Sequence, residues 1–282
     1  WGSGRPGWHI ECSVMAKKYL GEQIDIHAGG EDLIFPHHEN EIAQSECANG
    51  KSFAKYWLHN GFINVDNEKM AKSKGNFFTV RDIAKEIPYD VIRFFIISTH
   101  YKSPINFSKE ALESSRKGLD RIKNCLKNLE YYLDNNTSNL SISREEQEIL
   151  KGDVDRYKEY FITEMDNDFN TANAITAIFE LVRVTNSNIN ENSSKEFMEN
   201  LLDIFRELTG ILGIIYEVEQ PNDLNNGDSD DISEEEIQDL INKRQEAKAE
   251  KNYKLADEIR DNLKNQGIIL EDTSAGVRWS RG

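Results

Sequence analysis

Near the start of the chain, Cys12, His37 and Glu41 offer a thiolate, an imidazole and a carboxylate. All three are zinc ligands, binding at roughly 2.0–2.3 Å, and three protein donors leave one position for a fourth. His37 and Glu41 stand one helical turn apart and share a face if helical, although that spacing also serves ordinary helix-face contacts. Further along, Glu68-Lys-Met-Ala-Lys-Ser-Lys-Gly-Asn concentrates ammonium groups in a glycine-terminated segment. Fixed cations of this kind stabilise negative charge building on phosphates, and small residues let a loop close over a nucleotide. In isolation the segment reads equally well as a solvated turn.

Positioning these groups requires an α/β framework. A helix over Trp8–Leu20 opened by Pro6, a short strand at Ile24-Asp-Ile-His and a Gly29-Gly30 turn are expected. A second helix beginning at Pro36, where the missing N–H costs nothing, runs to Asn49-Gly50. Tyr56–Val65 reads as another strand or strand pair. Strands alternating with helices predict a parallel sheet covered on both faces.

From about residue 80 the period changes. Tyr89–His100, Ser108–Asn135, Arg144–Thr163, Thr171–Asn190 and Ser194–Tyr216 carry apolar residues at three-to-four spacing, the pattern of a helical bundle. Residues 217–236 hold nine carboxylates and no Lys or Arg, which predicts a solvated linker. Beyond it, Glu234–Lys251 and Lys254–Asn265 form a helical hairpin capped by Gly267, followed by strands at Ile268–Glu271 and Val277–Trp279. The expected divisions are 1–107, a partial Rossmann-like domain whose lysine loop spans 66–80; 108–216, the bundle; 217–231, the linker; and 232–282, a small α+β domain.

Composition bounds the function. The chain is 38% hydrophobic and 30% charged, has no apolar run long enough for a membrane span, and lacks a secretory leader pattern at its first residues. With three cysteines, a disulfide framework is not expected, and the cytoplasm is the expected compartment. A net charge of -16 argues against indiscriminate nucleic-acid binding, though not against one specific partner held by local basic patches.

Gly4-Arg-Pro-Gly-Trp-His-Ile-Glu-Cys-Ser and Asp25-Ile-His-Ala-Gly-Gly-Glu-Asp-Leu-Ile-Phe-Pro-His-His-Glu-Asn-Glu resemble the paired zinc-site segments of the cysteinyl-tRNA synthetases. The lysine segment resembles the class I "KMSKS" signature with Ala71 in place of the first Ser. The resemblance implies the second half of a class I Rossmann-like catalytic domain, an α-helical bundle and an anticodon-binding domain. It implies ATP-dependent activation of L-cysteine, with Mg2+ accompanying ATP, and transfer to tRNA(Cys).

The family's zinc has two Cys, one His and one Glu. Three fall on Cys12, His37 and Glu41; the other Cys belongs to an upstream segment absent here, and Cys47 and Cys125 read as helix-buried. Serine is nearly isosteric with cysteine, and shape alone separates such pairs by only about 10- to 200-fold. Zinc ligates a thiolate strongly, whereas a hydroxyl stays protonated and binds poorly. Trp8, predicted on the helical face of Cys12, packs on the substrate by this resemblance, or else is a core tryptophan. Asp32 accepts from a ribose hydroxyl or from the substrate ammonium; both stay open. His27 and His38 are expected to hold structural, ligand-orienting places.

Lys72 is implied as the principal ATP contact, assisted by Lys69 and Ser73. Met165-Asp-Asn-Asp-Phe-Asn-Thr-Ala resembles the family's entry to its bundle, with Asn170 and Thr171 as helix caps, and Arg183, Asn186 and Arg206 are candidates to face tRNA. Arg244 through Leu263, with Gly267-Ile-Ile-Leu-Glu-Asp-Thr and Gly276-Val-Arg-Trp, resembles the anticodon-binding tail. There Arg260, Arg278 and Trp279 suit stacking on, and hydrogen bonding to, unstacked bases. No "HIGH" signature is present, so the chain is expected to be an incomplete enzyme that associates with an N-terminal half, the full-length enzyme being a monomer. Rival readings are a non-catalytic tRNA-binding piece, half of a split enzyme, and the related cysteine ligase of mycothiol synthesis, which lacks the tail.

Overall fold

The computed structural model describes residues 2–70, 75–136, 140–190, 192–215, 234–249, 252–273 and 276–281. It divides into two units, residues 1–217 and 218–282.

In the first unit, helix α1 (Ile10–Leu20) leads to strand β1 (Ile24–Gly30), then a 3-10 turn (Glu31–Leu33), a π-helical turn (Ile34–His38) and α2 (Glu39–Asn49). Strand β2 (Ala54–Asn60) returns parallel to β1, with His27 opposite Trp57 and Gly29 opposite His59. Strands β3 (Ile63–Val65) and β4 (Glu68–Lys69) form an antiparallel pair. After α3 (Val80–Ile83) and α4 (Tyr89–Ile97), strand β5 (Ile105–Phe107) pairs parallel to β3.

Several sequence expectations shift here. The first helix starts at Ile10, not Trp8, because the Ile10 N–H closes a turn on the Gly7 carbonyl and leaves Trp8 ahead of the helix. Pro36 does not open the second helix. The residue before a proline is pushed out of the α region, and Phe35 is accordingly extended (φ -131°, ψ 132°) beside a cis Phe35–Pro36 bond. The α-helix begins only at Glu39, so His37 sits in the π-helical turn.

Gly29 and Gly30 finish strand β1 rather than forming a turn. The β1–β2 pair is covered on one face only: Ile26 and Tyr56, directly opposite each other, are exposed on the other. Cys125 is buried as expected, but Cys47 is exposed.

The bundle follows the apolar period closely. It contains α5 (Lys109–Asn135), α6 (Arg144–Ile149), a π-helical turn (Leu150–Val154), α7 (Asp155–Asp166), α8 (Thr171–Asn188) and α9 (Lys195–Leu212). Side-chain caps fix the starts: Ser108 accepts from the Ala111 N–H, Asn170 from Asn173 and Ser194 from Phe197, each satisfying a donor the helix leaves free. Gly213 ends α9 at φ 61°, a left-handed conformation that glycine adopts without steric cost. Leu119, Ile122, Leu129, Ile178, Met198 and Leu208 have no solvent exposure, and Phe161, Leu181 and Phe205 almost none.

The second unit is a hairpin of α10 (Glu234–Ala249) and α11 (Tyr253–Asn265) followed by the antiparallel pair β6 (Ile268–Thr273) and β7 (Gly276–Arg281). Ile237, Ile241, Ile259, Leu263 and Ile268 form its small core. The expected acidic linker, 217–231, lies outside the described residues.

Candidate active site

Strands β1 and β2 place His27, Trp57 and His59 on one face by strict alternation. The π-helical turn and α2 then lay His38 and Glu41 over that face. The ring of His38 lies 4.7 Å from that of His27 and 5.3 Å from that of Trp57, centroid to centroid, and its Nδ1 is 2.8 Å from His59 Nε2. A Cβ on Gly29 would stand 2.8 Å from His38 Cε1, so the glycine is there to admit the imidazole. A Cβ on Gly30 would stand 2.5 Å from Asp32 Oδ1, so the second glycine lets the Asp32 carboxylate fold back over the strand end.

Glu41 is the convergence point. Its carboxylate is buried, lies near enough to the Cys12 thiol to raise its pKa, and carries Oε2 2.7 Å from His27 Nε2. Those two atoms are close, yet neither has a hydrogen bond of acceptable geometry. Ligand atoms of His27, His38 and Glu41 all lie within 4.8 Å of one another. His37 instead engages His9, Nδ1 to Nε2 at 3.1 Å.

Cys12 is exposed, yet partial desolvation of its thiol, then the Glu41 carboxylate, hold it above its ordinary range, while burial, then neighbouring His27, push the His38 imidazolium down. The mutually close imidazoles of His27 and His38 and the Glu41 carboxylate, with orphaned buried atoms on His27 and Glu41, fit a metal ion.

The other expected site residues are more dispersed. Trp8 is 79% exposed in the turn before α1, and Asp32 is exposed in the 3-10 turn after β1. Lys69 ends β4 with its Nζ 3.8 Å from the Phe62 ring centroid. Lys72 and Ser73 lie outside the described residues. Arg183 and Arg206 pair with Glu180 and Glu130 on the bundle surface. Arg260 is exposed on α11, and β7 carries Arg278 and Trp279 opposite Glu271 and Leu270. Sequence reasoning missed His9, Trp57 and His59. The alternation Trp57-x-His59 was the available signal, but it acquires meaning only through the register with His27 and Gly29.

Residues 1–117 match the family described as tRNA synthetases class I (C) catalytic domain, and residues 160–217, spanning α7 to α9, match the DALR domain. The cysteine–tRNA ligase of Clostridioides difficile (strain 630) is 53% identical over 281 residues, covering 100% of this chain and 58% of the relative. That of Lachnospira eligens is also 53% identical over 281 residues, with 57% of the relative covered. The chain thus spans somewhat over half the length of these relatives. Among solved structures, the ternary complex of Agrobacterium radiobacter K84 agnB2 LeuRS with tRNA and LeuAMS aligns with a TM-score of 0.55 over 67% of this chain and 26% of that one. At 19% identity this shows a shared fold alone. An α/β region followed by helical segments that include a DALR domain, together with homology along the whole chain, places this protein in the family of class I cysteine–tRNA ligases.

Proposed function

We propose that the chain supplies the cysteine-recognising and lysine-loop portion of an enzyme that activates L-cysteine with ATP and transfers it to tRNA(Cys). The observation that carries this reading is a buried Glu41 carboxylate whose Oε2, like His27 Nε2, has no properly formed hydrogen bond, and whose charge raises the pKa of the Cys12 thiol. Cys12, His37 and Glu41 would hold the zinc, which when bound selects a thiolate over a hydroxyl. The bond from His9 orients the His37 ring, and His59 and Trp57 fix the ring of His38, so the imidazoles are set before substrate arrives.

A second reading is favoured by one observation, the mutual proximity of His27, His38 and Glu41, which would make those three the metal ligands.

Lys72, with Lys69 and Ser73, would neutralise charge on the ATP phosphates as the cysteine carboxylate attacks the α-phosphorus and pyrophosphate leaves. Trp8 and Asp32 would meet the substrate, and Arg260, Arg278 and Trp279 the tRNA. Magnesium accompanies ATP, the compartment is the cytoplasm, and the full-length enzyme acts as a monomer. Among the described residues no helix is long and apolar enough to cross a membrane.

Cysteine-dependent ATP–pyrophosphate exchange tests the proposal. We expect none from this chain alone and recovery on supplying the remaining part of the enzyme. Absence of exchange with both parts present would overturn it.

A further inference from the structure

Asp168 and Phe169, at the elbow between α7 and α8, both have left-handed backbones, with φ of 58° and 55°. Side chains other than glycine rarely adopt that conformation in succession, and such outliers persist only where surrounding structure holds them. Here the elbow is tied on all sides: the Phe169 N–H bonds the Met165 carbonyl, Asn170 bonds Glu164, and Thr171 bonds back to Phe169. Neither residue faces the bundle core. The Asp168 carboxylate accepts from the Tyr101 hydroxyl at 2.7 Å and from the Lys102 ammonium, with His100 Nε2 at 4.0 Å. Phe169 lines a cavity of about 390 Å³ with Leu58, Gly61, Ile63, Tyr101 and Ile105.

The loop gripped by Asp168 is bonded to the residues just before strand β3. The Tyr101 carbonyl accepts from the Gly61 N–H at 2.8 Å, and the Phe62 carbonyl from the Ile105 N–H at 2.9 Å. The approach is so close that a Cβ on Gly61 would stand 2.6–2.8 Å from the backbone of Ser103 and Pro104. Phe62 in turn supports the Lys69 ammonium through its ring, and the Met70 N–H bonds the Ile63 carbonyl. A continuous chain of contacts therefore runs from the bundle elbow through the 100–104 loop to the strands that carry Lys69.

We propose that Asp168 is a positioning residue: it anchors the 100–104 loop to the bundle, and that loop fixes Gly61 and Phe62, setting the place of Lys69 at the foot of the lysine segment. The catalytic meaning of this device rests on the role proposed above for Lys69; its mechanical content does not. The carboxylate is partly exposed, so its ion pair adds little to global stability. What it supplies is position.

The test uses Asp168→Gly, which accepts the left-handed backbone while removing the carboxylate, and Tyr101→Phe, which deletes one hydroxyl and leaves the elbow intact. Amide hydrogen exchange on this chain is expected to quicken at Gly61, Ile105 and Met70 by about threefold or more, the opening expected from losing an interaction of surface-pair size, with Leu181 and Phe205 unchanged. In the full-length enzyme the same substitutions are expected to raise the KM for ATP while sparing the KM for cysteine. Unchanged exchange at those three amides in both variants would overturn the proposal, as would a uniform rise across the bundle. An inactive wild-type enzyme would instead refute the functional reading and leave the exchange result to decide the positioning role.

Discussion

His38 and His59 meet ring nitrogen to ring nitrogen at 2.8 Å, in a space that Gly29 leaves open by lacking a Cβ. Gly29 has no left-handed backbone to excuse it; its smallness is what the imidazole needs. Gly29→Ala should therefore displace His38 and lower stability by about 1–3 kcal/mol, as overpacking does. Gly30→Ala meets only the mobile end of the Asp32 side chain, so its melting temperature should stay near wild type. Thermal unfolding of the pair checks the contrast.

The two candidate ligand sets make different demands. Cobalt-substituted protein should lose its thiolate-to-metal charge-transfer band in Cys12→Ser and its d–d absorption in Glu41→Gln. If His37 is a ligand, His37→Ala should alter the d–d spectrum more than His27→Ala does; the reverse order would assign the ion to His27, His38 and Glu41. Titrating cysteine and serine into the wild-type cobalt protein should perturb the spectrum with cysteine alone.

Cys125 lies buried in α5, and burial pushes its thiol up to about 12. Only the unfolded chain ionises near the ordinary value of 9.0, so the folded state binds the extra proton above it. Stability from this group is complete below pH 9 and is lost as pH rises through the interval up to about 12, with some 1.4 kcal/mol gone by about pH 10. Urea titrations of wild type and Cys125→Ala across that range should converge as pH rises. A thiol reagent should label exposed Cys47 in the native protein and reach Cys125 only on unfolding.

Phe205 on α9 is 1% exposed inside the bundle core. Phe205→Ala should cost about 3–5 kcal/mol through lost burial and the cavity left behind. Denaturant unfolding monitored by helical circular dichroism would measure it.

The helices were legible because three-to-four apolar spacing and capping residues agree: Ser108, Asn170 and Ser194 each announce a start that the backbone adopts. The site was legible in its membership only in part. Cys12 and Glu41 do meet, but His37 was expected on a regular helix and sits in a π-helical turn, because Pro36 forces Phe35 out of helical geometry. His9 and His59 carry no local sign of their task. One depends on a tertiary contact with His37, the other on the parallel register of β2 against β1. Long-range register is the information that local periodicity lacks.

The parallel pairing of β3 with β5, and of β1 with β2, has a consequence in time. Helices α7 and α8 pack against each other as a local hairpin, whereas Ile63 waits for Ile105 and His27 for Trp57. Pairings of greater sequence separation form more slowly, because loop closure costs entropy before the contact is made. The α7–α8 hairpin with its Asp168 elbow should therefore form early, and the histidine cluster and the lysine-bearing strands should mature after it.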